Sequence, residues 1–304
     1  MHISKDQVAV ITGGASGIGK AFAYQFGMEG MKIVIADIEE NPLNNTVEEL
    51  QSHNIEVIGT ITDVSNQKDV KNLYEKTIEH FGKVHILCNN AGVAGDLDFI
   101  GQRNKPLWEQ SSSLWDWTFG VNVMGVLNGI KEFLPSMLRQ NEPGHIVNTA
   151  SMAGLIGGST SGIYGATKHA VVRISEALFF QLEEINSPVK ASVLCPGIIN
   201  TRIFSSGRNR PDSMWGNNEK PTLEMVDEQI KQGDKHFSHG LNPEIVAKQV
   251  MRAIQGEQFW ILTEDVPLNR IKNRTEYIIG MQNPTLSKKN PSESYSNPPT
   301  VKEK

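Results

Sequence analysis

Apolar residues along the chain follow two alternating periods. Short, β-branched runs occupy 8–12, 32–36, 56–61, 84–88, 145–149, 189–194 and 259–262. Each is apolar almost throughout and too short for a helix, so each reads as a buried strand. Between them the spacing turns helical. Ile18, Ala21, Phe22 and Phe26 form one apolar face, and Val70, Leu73, Tyr74, Thr77 and Ile78 another. Continuous apolar strands alternating with amphipathic helices predict a parallel sheet covered on both faces. With about seven strands, the pattern predicts one doubly wound α/β domain over 1–282 rather than two domains.

Three stretches break this rhythm. Residues 93–114 contain Asp96-Leu97-Asp98, Asn104-Lys105-Pro106 and a serine triplet. Residues 200–240 mix glycine, asparagine, proline and arginine with amphipathic pieces. Long connections after the strands of an α/β sheet are where ligands bind, so 200–240 is expected to be a substrate lid. The third stretch, 283–304, has only Leu286, Tyr295 and Val301 as sizeable apolar side chains, too few to order it, and is expected to be a disordered tail.

Charge and composition narrow the function. The 29 Lys+Arg against 34 Asp+Glu give a net charge of −5, which argues against a dedicated nucleic-acid binder. The two cysteines, Cys88 and Cys195, both lie in apolar runs, so neither a disulfide framework nor a zinc site is expected. His236 and His239 have helical spacing but no ligand cluster around them, and no metal is expected. The first apolar run is too short for a signal-peptide core, and no run approaches the ~18 residues of a membrane span. The expectation is a soluble, cytoplasmic protein without a membrane partner.

The first candidate chemistry follows the first strand. Thr12-Gly13-Gly14-Ala15-Ser16-Gly17-Ile18-Gly19 leads into a helix. Glycines at 13, 17 and 19 permit a tight turn and close backbone approach to a pyrophosphate, and the helix N-terminus offers free N–H groups. Asp37, at the end of the next strand, can accept both hydroxyls of an adenosine ribose. The competing reading is a plain strand-to-helix turn with a solvated aspartate, which the whole unit disfavours. A carboxylate at 37 repels the 2′-phosphate of NADP. Neither Ser16 nor Ile38 supplies a rescuing cation, so NAD is favoured. The spacing does not match a P-loop. A Rossmann methyltransferase stays open on this evidence alone.

The second candidate chemistry lies downstream. Tyr164 and Lys168 stand at i, i+4 on a helix and share a face. A phenol titrates near ~10, and a neighbouring ammonium is expected to lower that value towards a usable acid/base. Alone the pair is weak, because a packed tyrosine beside a solvated lysine is commoner. Ser151 follows the strand 145–149, where a hydroxyl can point into the ligand crevice, or it can simply form a turn. Asn122 is a polar amide in an apolar helical stretch, so it binds either a water leading to Lys168 or local backbone.

Taken together in chain order, Thr12 to Gly19, Asn89-Asn90-Ala91-Gly92, Asn122, Ser151, Tyr164 and Lys168, and Pro196-Gly197 with Thr201 resemble the short-chain dehydrogenase/reductase family. The resemblance implies a three-layer α/β/α Rossmann fold and hydride transfer between NAD(H) and a secondary alcohol or ketone. It implies Tyr164 as general acid/base and Lys168 as its activator and ribose ligand. Ser151 would position substrate, and Asn122 would hold a proton-relay water. The implied cofactor contacts are Gly13, Ser16, Gly17, Ile18, Gly19, Asp37, Ile38, Asp63, Val64, Asn90, Ala91, Gly92, Tyr164, Lys168, Pro196, Gly197, Ile199 and Thr201. It also implies a homotetramer or homodimer, built by the helices near Tyr164 and Asn122. The serine at 16 departs from the glycine pattern of the family's extended branch, which disfavours sugar epimerisation or dehydration.

The intact Ser151, Tyr164 and Lys168 set disfavours the methyltransferase. It also disfavours the main alternative, a non-catalytic NAD-binding redox sensor or regulator. Ile203, Phe204, Met214, Trp215 and Met225 in the expected lid suggest an apolar alcohol or ketone, although the same side chains could pack the lid onto the body.

Overall fold

The computed structural model describes residues 1–98, 100, 105–158, 162–215, 220–263 and 266–285. Seven parallel strands form one sheet: β1 (Val8–Thr12), β2 (Lys32–Asp37), β3 (Val57–Ile61), β4 (Ile86–Asn89), β5 (Gly144–Thr149), β6 (Val189–Cys195) and β7 (Trp260–Leu262). Their order is β3-β2-β1-β4-β5-β6-β7, so the winding reverses between β1 and β4. The expected doubly wound Rossmann-type α/β fold is therefore present. Half of the strand ends fall where expected, and the other half differ by a residue or two. At the start of β4 the difference has a local cause: the Val84 N–H donates to the Gln140 side chain, and the Val84 carbonyl accepts from it. Val84 thereby pairs with a side chain instead of a neighbouring strand.

Alternation along β1 shows how the two faces are filled. Ala9 and Ile11 pack with Phe22 and Phe26 of α1 (Gly17–Met28), Leu43 and Leu50 of α2 (Glu40–Ser52), and Val246 and Val250 of α8 (Pro243–Gln255). Val8 and Val10 face the other layer, with Val70 and Leu73 of α3 (Gln67–Phe81), Phe133 of α5 (Gly125–Gln140) and Leu178 of α6 (Gly162–Glu184). Burying each such side chain is worth about 1.5–3 kcal/mol, and the period-2 pattern gives that gain to both faces. In α6, Val171, Leu178 and Leu182 pack within this body, while Phe180 is exposed.

The irregular stretches also gain structure. Within 93–114, single turns form at Gly95–Leu97 and Leu107–Glu109. The stretch leads to α4 (Ser112–Phe119), whose N-terminus Ser111 caps. A π-turn, Gly120–Met124, joins α4 to α5. The expected lid leaves and re-enters the body through a bridge between Ile199 and Leu241. It carries turns at Ile203–Asn209 and Asp212–Met214, then α7 (Leu223–Phe237). Beyond β7 the chain adds α9 (Leu268–Ile279). Of the expected tail, 286–304 lies outside the described residues, as do Phe99 and the side chain of His236. Among the described residues no helix is long and apolar enough to cross a membrane, and no group of three or more potential metal ligands exists.

Candidate active site

A cleft of about 450 Å³ opens at the carboxyl ends of the strands, where the winding reverses and where α/β sheets bind ligands. Gly13, Ser16, Gly17 and Ile18 line one end together with Asp37, Ile38, Asp63 and Val64. Gly13 and Gly17 have positive φ, a conformation glycine adopts without cost. Side chains are also excluded by contact. A Cβ on Gly13 would sit 2.9 Å from Ala91 Cα, and one on Gly17 would sit 2.9 Å from Thr201 Cγ2. Ser16 precedes α1 and makes no side-chain cap, so the first N–H groups of the helix are left to a ligand. This bare, cation-poor cradle at a helix N-terminus fits a pyrophosphate.

Asp37 Oδ2 accepts from the Ala15 N–H at 3.0 Å and Oδ1 accepts from the Glu39 N–H at 3.1 Å. Burial pushes its carboxyl up, and these backbone bonds work against that shift. Each oxygen keeps a lone pair with which to accept a ribose hydroxyl. Asn90 lines the cleft, but its side chain also braces the glycine turn. Its Nδ2 donates to the carbonyls of Thr12 and Gly13, and its Oδ1 accepts from Thr149 Oγ1.

Ser151, Tyr164 and Lys168 line the same cleft with Gly92, Pro196, Gly197 and Ile199, while Ala91 and Thr201 stand against the glycine turn. Lys168 is 2% exposed, and Nζ donates to the Thr149 carbonyl at 3.0 Å. Burial pulls its ammonium down to about 8. Its Nζ lies 5.6 Å from the Tyr164 ring centre. The expected lowering of Tyr164 is not found here. Burial pushes the phenol up to about 12, against the opposing pull of the Ser151 hydroxyl. Desolvation of the phenolate is the largest influence and outweighs that hydrogen bond.

Two of the expected residues do not line the cleft. A Cβ on Gly19 would lie 2.1 Å from the Gly13 carbonyl oxygen, so this glycine lets the turn pack on its helix. Asn122 is fully buried in the π-turn. Its Oδ1 accepts from the Val93 N–H at 2.8 Å, and Nδ2 donates to the Val93 carbonyl and to Thr167 Oγ1. The side chain thereby clamps the Val93 backbone and the Thr167 hydroxyl. The π-turn places this amide against Val93, next to Gly92, where a Cβ would meet both Asn122 Oδ1 and Lys168 Nζ.

Three acidic residues matter that sequence reasoning passed over. Asp96, 5% exposed, accepts from the N–H groups of Tyr164 (3.1 Å) and Ile163 (3.2 Å), holding the first turn of α6. Asp98 accepts from Ser206 Oγ (2.6 Å) and the Gly207 N–H (2.8 Å), and so ties 93–114 to the lid. Glu39 pairs with Arg208 of the lid. The Asp96-Leu97-Asp98 spacing was the only available signal, and it does not identify the partners. The chamber beyond Ser151 is walled by Leu97, Trp117, Ile156, Phe204 and Met214, while Trp108 is exposed.

Comparison with known proteins agrees with this architecture. Residues 7–212 match the family model described as short chain dehydrogenase. The chain is 32% identical to a C alpha-dehydrogenase of Sphingobium sp. over 85% of its length and 80% of that protein's. It is 29% identical to a CLA biosynthesis dehydrogenase/reductase of Lactiplantibacillus plantarum, covering 90% of this chain and 94% of the other. A short chain dehydrogenase/reductase from Burkholderia phymatum, solved in complex with NAD, superposes with a TM-score of 0.85 at 43% identity, covering 94% of this chain and 99% of that one.

Proposed function

Because the chain belongs to the short-chain dehydrogenase family of oxidoreductases, we propose that it moves hydride between NAD(H) and a secondary alcohol or ketone. The observation that carries this reading is the convergence of Ser151, Tyr164 and Lys168 in the same cleft as the glycine turn and Asp37. Gly13, Ser16, Gly17 and Ile18 would hold the pyrophosphate, Asp37 and Ile38 the adenosine ribose, and Asp63 and Val64 the adenine. Asn90, Ala91, Gly92, Lys168, Pro196, Gly197, Ile199 and Thr201 would flank the nicotinamide half. The bound cofactor supplies the hydride acceptor and a positive charge beside Tyr164.

Ser151 would accept or donate a hydrogen bond at the substrate oxygen and align it on Tyr164. As its phenolate, Tyr164 would take the alcohol proton and become the phenol, which in reverse would return the proton to a ketone. A phenol held at about 12 stays protonated at neutral pH, so the reading requires the bound state to lower it. Lys168 next to it and the cofactor's charge act in that direction. Asp96 would hold Tyr164 in place through the backbone, and Asn122 would hold the Val93 backbone that floors the site. The apolar walls at Leu97, Trp117, Ile156, Phe204 and Met214 favour an apolar substrate.

The test is NADH formation from NAD over a panel of secondary alcohols, with Tyr164→Phe alongside. The variant should lose about 10³-fold in kcat while still binding NAD. Turnover retained in the variant would overturn the assignment of Tyr164. NAD binding without turnover on any alcohol or ketone would point instead to a binding-only regulator.

A further inference from the structure

The end of β2 carries two carboxylates that line the same part of the cleft, Asp37 and Glu39. They are joined through the Glu39 N–H, which donates to Asp37 Oδ1. The Glu39 side chain has a second partner, 169 residues away in sequence. Arg208, in the lid turn Ile203–Asn209, donates from Nε to Oε1 at 3.0 Å and from Nη2 to Oε2 at 2.6 Å. Its Nη1 donates to the Ser205 and Arg202 carbonyls. The fork is therefore filled on all three nitrogens.

The pair is also shielded, with the arginine 18% and the glutamate 23% exposed. Burial alone would raise the Glu39 carboxyl. The hydrogen bond and charge of Arg208, with Asn209 and Arg202 nearby, hold it below the usual carboxylate range. At neutral pH this is a charged, bidentate, partly desolvated pair, the strong form of such contacts. The other cation on this side, Arg202, is 62% exposed and lies 3.7 Å from Asp234, so water screens it.

We propose that Glu39 is a second determinant of cofactor choice: it occupies Arg208, which would otherwise be available to a 2′-phosphate, and adds its own charge to that of Asp37. The proposal rests on the reading that the cleft takes a nicotinamide dinucleotide. A guanidinium matches phosphate geometry well. Recruiting Arg208 here would mean breaking two charge-assisted bonds and bringing a dianion beside two carboxylates. The arrangement rejects the wrong ligand as well as accepting the right one.

The experiment is calorimetric binding of NAD and NADP, separately, to the full chain and its variants. Glu39→Gln should tighten NADP about tenfold while moving NAD less than about threefold. The NADP gain should shrink as salt is raised, and it should vanish in Glu39→Gln/Arg208→Gln. Arg208→Gln alone leaves a bare Glu39 carboxylate and should weaken NADP further while sparing NAD. That variant decides the matter if Glu39→Gln does not fold. Equal changes in NAD and NADP would mean a structural clasp only and overturn the proposal, as would an unchanged NADP affinity with NAD binding intact. Failure of the unaltered chain to bind either dinucleotide would overturn the functional reading and this inference together.

Discussion

The two ends of the cleft are made by different means. The end that holds Gly13, Gly17 and Asp37 comes from strand-to-helix turns and offers a ligand turn backbone, bared by glycine. The Ala15 and Glu39 N–H groups meet Asp37, and Asn90 meets the carbonyls of Thr12 and Gly13. The end that holds Ser151, Tyr164 and Lys168 offers side chains, which other side chains must brace. Asp96 reaches the backbone of Tyr164 across 68 residues, and Asp98 reaches Gly207 across 109. A backbone cradle needs glycines at set places, which any reading of the chain can see. A side-chain site needs rigid neighbours, and those can come from anywhere in the fold.

The sharpest way to break the backbone end is Gly19→Ala. Alanine favours a helix over glycine by about 1 kcal/mol, which would stabilise α1. The new Cβ, however, would stand 2.1 Å from the Gly13 carbonyl oxygen. That contact is with backbone, so the turn itself must shift, and sterics win over propensity. Dinucleotide affinity should fall by about 100-fold or more, measured by titration calorimetry. Near-normal affinity would show that the turn is more pliable than its contacts imply.

A smaller effect is expected at the side-chain end from Asp96→Ala. It leaves the Ile163 and Tyr164 N–H groups without their acceptor, which costs about 1–3 kcal/mol for a buried donor. Tyr164 should lose its fixed position, so kcat should fall about tenfold while NAD affinity holds. Steady-state kinetics beside NAD binding would separate these. Equal losses in kcat and NAD affinity would mean that the two ends form one mechanical unit, and the contrast between them would not stand.

The same contrast explains what could be read in advance. Strand period and helix spacing gave the sheet and its layers, because β1 buries Val8, Val10 and Ala9, Ile11 on opposite faces and its sequence shows it. The glycine turn was legible because its requirement is conformational and local. The boundary at Val84 was not, since Gln140 lies 56 residues on. Nor was the upward push on Tyr164 legible. The i, i+4 lysine is visible in sequence, but the burial behind that push is a property of the assembled fold. Asp96, Asp98 and the Glu39–Arg208 pair went unseen for the same reason. A carboxylate in an irregular stretch gives no sign of which distant N–H or guanidinium it will meet.

Asp98 offers the finest test, through pH. Burial pushes its carboxyl up to about 7, although hydrogen bonds from Ser206, Ile100 and Gly207 and the charge of Arg208 oppose the shift. The folded chain therefore keeps a proton that the unfolded chain releases at the ordinary value of 3.8. Between those values the native state binds more protons, so this group's contribution to stability is fullest below pH 3.8 and falls as pH rises to about 7. Above 7 it is flat. Asp98→Asn cannot titrate, and its amide would also set an N–H against the N–H groups that Asp98 accepts, so it should be the less stable chain throughout. The stability difference between the two should shrink by about 2 kcal/mol from pH 5 to pH 7, after allowance for solvent relaxation around the carboxyl. Other titrations cancel in that difference. Urea unfolding at the two pH values measures it. A difference that stays constant would mean that Asp98 titrates as an ordinary carboxylate, and that water reaches the tie between 93–114 and the lid.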